Sequence, residues 1–564
     1  MTLLQLPTRT PQAEVPDRGP VSTAGAERRR RRWTEPWVVF ATVLTVELVL
    51  ALVLVVGYDS LMGDSVSRVA NAKAVLDGRD PKLAALGFVW SPLPSLLLLP
   101  FVLVGRVVPG IMDTGLVISL QSAVAAAAGA VVVRGYLQDL GVGRTARWGL
   151  VVAFAAHPYL LLYGANGMTE ALLLLWLLAA TRSLARWLHH NHSTDLAHAG
   201  LALGLAYLTR YEAVGAVAGA TLLVATVTAV RTVGRRRARV DAAVCDVLVV
   251  ALPAVVAAVL FAVTSFVVVG HPFEQLSSQY GNTAQRAMYG GAGALPPVLD
   301  QMAALQPVAW ALVVAAVLPA LVRRDVRFAA ALAVLGGTVA ISAGLALTGQ
   351  TFGWLRFQVY VVPLGVLAAG HLAQGLPGPV RGRRVLRLLA PVAATLAVLA
   401  VAVPPWVTVP RAVTDARLAP EDVPQGGSVL ARLEGRDEPT SRLGWADTDR
   451  RVAAYLDARH LPDGGVLMDL ASGFEIFLAS DHARQFVITP DRDFPKLLAD
   501  PRLGRVRYLL VSAQAGYDAL TVAHPSLYAD GAGIATLVKE FRNPVVEGRD
   551  WRLYRVTPRT TTRH

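Results

Sequence analysis

The sequence predicts a polytopic α-helical membrane protein that ends in a separate α/β domain, and three observations support this fold class. Of the 564 residues, 54% are hydrophobic and only 16% are charged, a composition too apolar for a soluble globular protein of this length. The apolar residues are gathered in runs of about 20, the length that crosses a bilayer as a helix. From residue 413 onward, short β-like runs instead alternate with helical ones, separated by Pro, Gly and Asp.

The basic residues bear on how the chain sits in the membrane. The chain carries 53 Lys and Arg against 40 Asp and Glu, a formal net charge of +13, and nearly all of the basic residues are Arg. They lie between the apolar runs, where basic residues mark the cytoplasmic side of a membrane protein. They do not form a patch interleaved with aromatic residues, so we expect no nucleic-acid partner. The single cysteine, Cys245, excludes an internal disulfide and a cysteine-based metal site.

The first 35 residues differ from the rest of the chain. They are polar, contain prolines and include a run of Arg at residues 28–32, just before the first apolar run. No small-residue cleavage site follows that apolar run. We therefore predict a disordered basic cytoplasmic tail over residues 1–35 and an uncleaved first span.

Twelve apolar runs are candidates for the spans of a membrane domain over residues 36–412. They are residues 36–57, 92–109, 114–134, 148–164, 168–186, 196–208, 213–231, 244–269, 304–322, 328–349, 357–374 and 388–408. If all twelve cross, most Arg-rich loops fall outside, against the positive-inside rule. If 92–109 does not cross, those loops move to the cytoplasm together. That run is short and rich in proline, which removes helix hydrogen bonds, so we predict about eleven spanning helices plus one interfacial or re-entrant segment.

This topology collects the unusual polar residues on one face of the membrane. The external face holds a first loop over residues 58–91, a second loop over residues 270–303, and an extracytoplasmic α/β domain over residues 413–564. In that domain we predict strands at 466–470, 485–488 and 508–511 and a helix at 447–458. The domain is long enough to bury its own core, and its position predicts that it covers or supports the membrane part.

Four short motifs at the predicted external boundary carry an acid or a fixed cation. They contain Asp59 and Asp64 after the first span, Asn166 and Glu170 at the second turn, Arg210 and Glu212 at the third, and Arg356 before the run 357–374. A carboxylate can take a proton from an acceptor hydroxyl, and a guanidinium group can hold a phosphate with two hydrogen bonds. Together the motifs indicate a substrate linked to a lipid phosphate. A structural role stays open for each, for example an ion pair between Arg210 and Glu212 within a broken helix.

Several motifs resemble those of a known family. They are Trp90-Ser91-Pro92-Leu93-Pro94 after the first external loop, His157-Pro158-Tyr159 with Asn166-Gly167-Met168-Thr169-Glu170-Ala171 at the second turn, and Leu208-Thr209-Arg210-Tyr211-Glu212 at the third. They resemble the GT-C superfamily of glycosyltransferases that use polyprenyl-phosphate sugars, which includes protein O-mannosyltransferases and lipid A aminoarabinose transferases. The resemblance covers residues 36–230 by motif and the remainder by hydropathy and the terminal domain.

The resemblance implies an inverting transfer of a sugar from a polyprenyl-phosphate donor to an acceptor hydroxyl at the outer face of the membrane. Asp64, in preference to Asp59, is then the general base, and Arg210 or Arg356 helps the polyprenyl phosphate to leave. Asp64 is preferred because it precedes a stretch with helical spacing that would lie along the membrane surface. Asp59 can instead cap the first span.

The resemblance also bears on substrate contacts, cofactors and location. Asn166, Glu170 and Glu212 are expected to contact the substrate. The second turn has one acid and no Asp-x-Asp motif, so we expect no metal and no cofactor. The Arg- and Ala-rich composition is typical of a bacterium, which predicts a multi-pass protein of the bacterial plasma membrane with a cytoplasmic N-terminus. The sugar and the acceptor, whether glycan, lipid or protein, stay open.

Two other classes of function remain alternatives. A transporter or flippase of a lipid-linked precursor would often show an internal repeat with paired broken helices, and we find no such repeat in this sequence. A non-catalytic cell-envelope assembly protein would keep the fold without the chemistry. It would then tolerate substitution at Asp59, Asp64 and Glu170.

Overall fold

A computed structural model describes residues 23–87, 89–113, 115–274, 295–323, 325–374, 384–514 and 517–558. Most of the predicted loop 270–303 therefore lies outside the described residues, as do residues 1–22 of the predicted tail. The rest of that tail is helical, because the first helix already begins at Thr23. The Ala, Glu and Arg residues of this stretch are good helix formers, which is the physical reason for the difference from the prediction.

The N-terminal three quarters of the chain are helical. The helices, numbered in chain order, are α1 (Thr23–Ala51, continued by a π-helical turn Leu52–Gly57), α2 (Gly63–Asp77), α3 (Pro92–Val107), α4 (Pro109–Asp113), α5 (Val117–Asp139), α6 (Arg144–Ala155), α7 (Pro158–Ala165), α8 (Glu170–His190), α9 (Ser193–Thr209), α10 (Val214–Arg231), α11 (Arg236–Val269), α12 (Leu295–Leu305), α13 (Ala309–Arg323), α14 (Phe328–Ala331, continued by Leu332–Gly336), α15 (Gly337–Leu347), α16 (Val361–Leu372), α17 (Arg384–Ala402) and α18 (Pro405–Val413).

Many of these helices, alone or joined to a neighbour, are long and apolar enough to span a membrane. Within the described residues, 8 single helices meet that description, and two bent pairs raise the number to 10. The pairs are α6 with α7, bent by 56°, and α12 with α13, bent by 74°. Both breaks occur at a residue followed by proline, His157-Pro158 and Gln306-Pro307. Proline lacks a backbone N–H and disfavours helix at the preceding residue, so a sharp bend is expected there.

Helix α9 adds a further crossing. Its last residue precedes Arg210, whose Nη1 donates to Oε1 of Glu170 at 2.6 Å. Glu170 is the first residue of α8, so α8 leaves one face of the bundle and α9 returns to that same face. We call this face the site face. The described residues thus hold 8 to 10 helices or helix pairs that are long and apolar enough to span a membrane, against about eleven predicted from the sequence, and α9 is a shorter helix that runs between the same two faces.

The run 92–109 does not cross. Ser65, at the start of α2, donates to the backbone oxygen of Asn166 at 2.8 Å, and the backbone N–H of Gly167 donates to Ser122 near the start of α5 at 3.2 Å. The chain therefore enters α5 on the face where it left α1. Helix α3 returns along α2, where Arg106 pairs with Asp77. The run 92–109 therefore begins and ends on the site face, in agreement with the prediction that it does not cross.

After α18 the chain forms an α/β unit on the site face. Its helices are α19 (Ser428–Leu433), α20 (Asp447–Asp457), α21 (Phe474–Ala479), α22 (Phe494–Ala499), α23 (Ala519–Ala523) and α24 (Leu527–Asp530). Its strands are β1 (Val466–Met468), β2 (Phe486–Val487), β3 (Tyr508–Ser512), β4 (Ala535–Phe541) and β5 (Trp551–Val556). The strand order is β2-β1-β3-β5-β4. The predicted runs 466–470, 485–488 and 508–511 correspond to β1, β2 and β3, and the predicted helix to α20.

The sheet is mixed and has an apolar core. Strand β1 pairs in parallel with β2 and β3, with Val466 opposite both Phe486 and Tyr508. Strand β5 pairs antiparallel with β3, with Leu553 opposite Leu510. These apolar strand residues are buried, which removes hydrocarbon from water and stabilises the unit.

The α/β unit packs on α2. The Lys73 ammonium group, on α2, is buried and donates to the backbone oxygens of Leu478 at 2.7 Å and Ser480 at 2.8 Å. Beyond the end of α2, Arg79 pairs with Asp491 at 3.1 Å. A buried ammonium group must be matched by acceptors, so these contacts fix how the unit lies on α2. Helix α2 is thereby held between the bundle and the α/β unit.

Candidate functional site

Arg356 lies at the centre of a charged cluster on the site face. It belongs to a short 3₁₀ turn, Leu355–Gln358, that leads into α16. Its Nη2 donates to Oδ2 of Asp64 at 3.2 Å. Its Nε lies 3.0 Å from Oε2 of Glu421 and 3.8 Å from Oε1 of Glu170. A guanidinium group that is only 3% exposed thus faces three carboxyl groups from three different parts of the chain.

Arg210 is the second cation of the cluster. It is the residue after α9, in extended conformation, and is followed by the 3₁₀ turn Tyr211–Ala213. Its guanidinium group donates to both oxygens of Glu212, at 2.7 and 3.3 Å, and to Glu170 at 2.6 Å. Glu170 therefore lies between Arg210 and Arg356 and links them. Both glutamates are almost fully buried, so each needs its Arg partner.

Asp64 is the most accessible carboxylate in contact with Arg356. It lies in the first turn of α2, where a negative charge is favoured by the helix dipole. Burial opposes ionisation of this aspartate, but the charges of Arg356, Arg68 and Arg210 outweigh it and lower its pKa below the ordinary value. Asp64 is therefore ionised at neutral pH and able to accept a proton.

A cleft opens beside these charges. Its volume is about 760 Å³, including space that is open to solvent. The described residues that line it are Asp64, Arg68, Val89, Trp90, Ser91, Pro92, Tyr207, Leu208, Thr209, Arg210, Tyr211, Glu212, Phe261, Phe352, Trp354, Arg356 and Phe357. The ring of Trp354 stacks on Phe352, at a centroid distance of 4.2 Å, and lies nearly parallel to Phe357, at 5.7 Å. The cleft thus joins an aromatic wall to three guanidinium groups and an ionised aspartate.

Five of the seven residues predicted from the sequence meet in this cluster. They are Asp64, Glu170, Arg210, Glu212 and Arg356. Their motifs are far apart in the chain, so it is the bundle that brings them together.

Asn166 and Asp59 have other contacts. The Asn166 side chain accepts from the backbone N–H of Met168 at 3.1 Å, which shapes the turn before α8. Asp59 accepts from Arg450 of α20 at 2.6 Å. Neither is among the described residues that line the cleft. Asp59 has a φ of 48°, a conformation that Asp and Asn tolerate better than most residues.

Sequence reasoning missed the acids that follow the last span. Asp422 accepts from the hydroxyl groups of Tyr163 at 2.8 Å and Tyr159 at 3.2 Å. Burial raises the pKa of Asp422 to about 6 and that of Glu421 to about 8. The pair follows an apolar run on the site face, the same signal that singled out Asp59 and Asp64. Arg68 was also missed, although its spacing from Asp64 places both on one face of a helix.

The charged cluster consists of carboxyl and guanidinium groups. In the described parts of the chain, no group of three or more His, Cys, Asp or Glu side chains is arranged to hold a metal. The carboxyl groups near the cleft face Arg guanidinium groups. The guanidinium groups that line the cleft are those of Arg68, Arg210 and Arg356.

Comparisons with known proteins bear on the fold. No protein-family model and no curated protein sequence matches the chain. Among solved structures, the chain is similar to ArnT from Cupriavidus metallidurans bound to undecaprenyl phosphate, with a TM-score of 0.51 and 15% identity over 92% of this chain and 98% of that chain. The archaeal oligosaccharyltransferase AglB from Archaeoglobus fulgidus, in complex with an inhibitory peptide and a dolichol-phosphate, gives a TM-score of 0.39 and 11% identity over 91% of this chain and 74% of that chain. Through this likeness, the chain shares the fold of ArnT over nearly its whole length.

Proposed function

We propose that this protein is a membrane glycosyltransferase that moves a sugar from a polyprenyl-phosphate donor to an acceptor hydroxyl with inversion and without a metal ion. The observation that carries the proposal is the placement of an ionised aspartate, Asp64, 3.2 Å from the buried cation Arg356 in one cleft at the membrane boundary. The transfer needs a base that accepts the proton of the acceptor hydroxyl and a cation that stabilises the leaving phosphate. In this cleft the two groups are in direct contact.

In the proposed reaction Asp64 accepts the proton of the acceptor hydroxyl. The acceptor oxygen bonds to the anomeric carbon while the bond from that carbon to the phosphate oxygen breaks. Polyprenyl phosphate leaves, and its developing charge is stabilised by Arg356, with Arg210 and Arg68 lining the same cleft. The three guanidinium groups supply positive charge that a metal ion provides in other phosphate sites. The aromatic wall around Trp354 offers a flat surface for the sugar ring.

We infer that the site face is extracytoplasmic. The Arg-rich segments lie at the opposite ends of the helices, for example Arg144 at the start of α6 and the run 235–237 at the start of α11. Basic residues concentrate on the cytoplasmic side of membrane proteins. In the bacterial plasma membrane that we propose, the donor would be used at the outer leaflet. The α/β unit, within the domain that we assign to residues 413–564, would lie outside the cell and border the acceptor.

The proposal is tested by turnover in nanodiscs. The full chain is given a panel of polyprenyl-phosphate sugars and a crude cell-envelope acceptor fraction, and release of polyprenyl phosphate is measured. Arg356→Met removes the cation, and Arg356→Lys keeps the charge but loses the two-armed geometry. We expect Arg356→Met to lower turnover by about 10²- to 10³-fold, as for loss of one transition-state donor.

Arg417→Met is the matched control, because Arg417 is exposed and pairs only with the neighbouring Asp415; its turnover should equal that of the native chain. Donor binding without release for every donor would favour the transporter or assembly-protein alternatives. Unchanged turnover in Arg356→Met would contradict the proposed site.

A further inference from the structure

The segment between the last span and the α/β unit crosses the site face. We call residues 414–427 the strap. Asp422 of the strap accepts from two tyrosines of α7. The Gln301 amide of α12 donates to the backbone oxygen of Leu418 at 2.8 Å, and Ser60 donates to Gln425 at 3.3 Å. The strap is therefore tied to three parts of the bundle, and these ties determine where its remaining side chains point.

Glu421 is the strap residue that reaches the charged cluster. Its Oε2 lies 3.0 Å from Nε of Arg356, while Asp64 accepts from Nη2 of the same guanidinium group. Among the described residues, the cleft is lined by Arg356 and Asp64 but not by Glu421. Glu421 thus contacts Arg356 on the edge that faces away from the cleft.

The charge balance of the cluster depends on Glu421. Without it, the guanidinium groups of Arg68, Arg210 and Arg356 face the carboxylates of three residues, Asp64, Glu170 and Glu212. An ionised Glu421 would give the cluster a negative excess beside the place where an anionic phosphate has to bind. A neutral Glu421 still lies against Nε of Arg356, but it adds no negative charge to the cluster.

We propose that Glu421 is a positioning residue that, as the neutral acid, packs against Arg356 without adding a negative charge to the cluster, so that the cleft accepts an anionic lipid phosphodiester. This inference rests on the proposed function, because it concerns how the same cleft holds its donor. When the pH is high enough to ionise Glu421, entry of the phosphodiester is coupled to uptake of one proton from solvent by the Glu421 carboxylate.

The surroundings of Glu421 favour its neutral form. Burial raises its pKa to about 8, against the opposing effect of Arg356. Each other charged group that faces it is an acid that raises the pKa further: Asp64 from α2, Asp422 from the strap and Glu170 from α8. The tyrosines of α7 face Asp422. An anion in the cleft adds another negative charge, so the free and occupied sites differ in proton affinity.

The sign of the expected pH dependence follows from these charges. Below about pH 8 Glu421 already carries its proton, so affinity for the phosphodiester should not change with pH. Above that value the proton must be taken up on binding, and affinity should fall by up to about tenfold per pH unit. Asp64, whose pKa is lowered, stays ionised throughout and contributes no change.

Binding of undecaprenyl methyl phosphodiester tests this, since its single negative charge is constant over the range used. Binding is measured by isothermal titration calorimetry on the full chain in nanodiscs, between about pH 6.5 and pH 9 in steps of about half a pH unit. Each measurement is repeated in two buffers of different ionisation enthalpy, which gives the number of protons taken up on binding. Glu421→Gln mimics the neutral acid. We expect it to bind with constant affinity over the whole range, without proton uptake, and more tightly than the native chain at the highest pH. Glu434→Gln, an exposed acid of the α/β unit, is the control and should behave as the native chain.

Three results would overturn the inference: constant affinity in the native chain above pH 8, an unchanged fall in Glu421→Gln, or loss of binding by Glu421→Gln at every pH. In each of them Arg356→Met still tests the proposed function separately. If Arg356→Met abolishes binding, the cleft is the donor site and only the role of Glu421 is wrong. If Arg356→Met binds as the native chain does, the proposed donor site itself is wrong.

Discussion

Replacing Asp64 by Asn removes the proposed base while keeping the size of the side chain. Loss of a general base lowers turnover by about 10²- to 10⁴-fold, or about 3–5 kcal/mol of transition-state stabilisation. The cost to folding should be much smaller. Arg356 keeps its contacts with Glu421 and Glu170, and the Asp64 side chain is 24% exposed, so the lost ion pair contributes about 1 kcal/mol or less.

Asp59→Asn is the matched control, because the two aspartates are close in sequence but differ in their contacts. Arg450 keeps Glu475, at 3.1 Å, and Asp447, at 3.2 Å, when Asp59 is replaced. Asn also tolerates the positive φ of this position. We therefore expect near-native turnover in Asp59→Asn and a similar unfolding temperature in both variants.

The assay is release of polyprenyl phosphate under saturating donor, with kcat and KM measured separately. Loss of the base should lower kcat at nearly constant KM. Because the pKa of Asp64 lies below its ordinary value, kcat of the native chain should not decrease between pH 7 and about pH 5 through this group. Turnover of Asp64→Asn within tenfold of native, or an equal loss in Asp59→Asn, would refute the assignment of the base.

Two further predictions concern stability. Arg210→Met leaves the buried Glu212 without its cation and Glu170 with only the longer contact to Arg356. It should therefore destabilise the fold by about 3–5 kcal/mol and lower the unfolding temperature in detergent, whereas Arg417→Met should not. Adding Glu212→Gln should restore part of the loss, and a native unfolding temperature in Arg210→Met would contradict the structural role of the ion pair. In the α/β unit, burial raises the pKa of Asp518 to about 7 and of Glu475 to about 8. The folded unit therefore binds protons that the unfolded chain has lost, and this proton binding stabilises the folded state. The stabilisation is present near pH 5 and is lost as the pH rises through 7 and 8. Tryptophan fluorescence of the full chain should show the unit unfolding at a lower temperature at pH 8.5 than at pH 5.5, and an equal or higher temperature at pH 8.5 would argue against the buried acids.

The membrane architecture follows from local properties of the sequence. The length of each apolar run decides whether it can cross, and the placement of Arg between the runs decides how many crossings are consistent with one another. This reasoning identified 92–109 as the run that stays on one face, and Arg106 of α3 indeed pairs with Asp77 of α2. The strands β1 to β3 were also readable as short apolar runs, because each is buried. The first helix begins at Thr23, within the tail that was predicted to be disordered. The Arg run at residues 28–32 indicated a cytoplasmic tail, and its helix propensity was not considered.

The candidate site shows the limit of such reasoning. The count of membrane crossings places Asp59, Asp64, Asn166 and Glu170 on one face, but it does not say which side chains are in contact. Asp59 contacts the α/β unit and Asn166 shapes a turn, while Asp64 faces the cleft. Glu421, which contacts Arg356, was not predicted. It lies beyond the last span, in a segment that the sequence indicated only as the start of the α/β domain.

The sequence by itself determined the class of membrane protein, the position of most of the apolar helices and the types of residue available at their ends, because hydropathy and charge act along the chain. Only the tertiary structure decided the partners. Asp64 and Arg356 are separated by 292 positions, and their contact depends on how α2 lies against the turn before α16. Distances and burial decide which carboxyl groups share one guanidinium group and which of them keeps its proton. Both are set only when the helices, the strap and the α/β unit pack together.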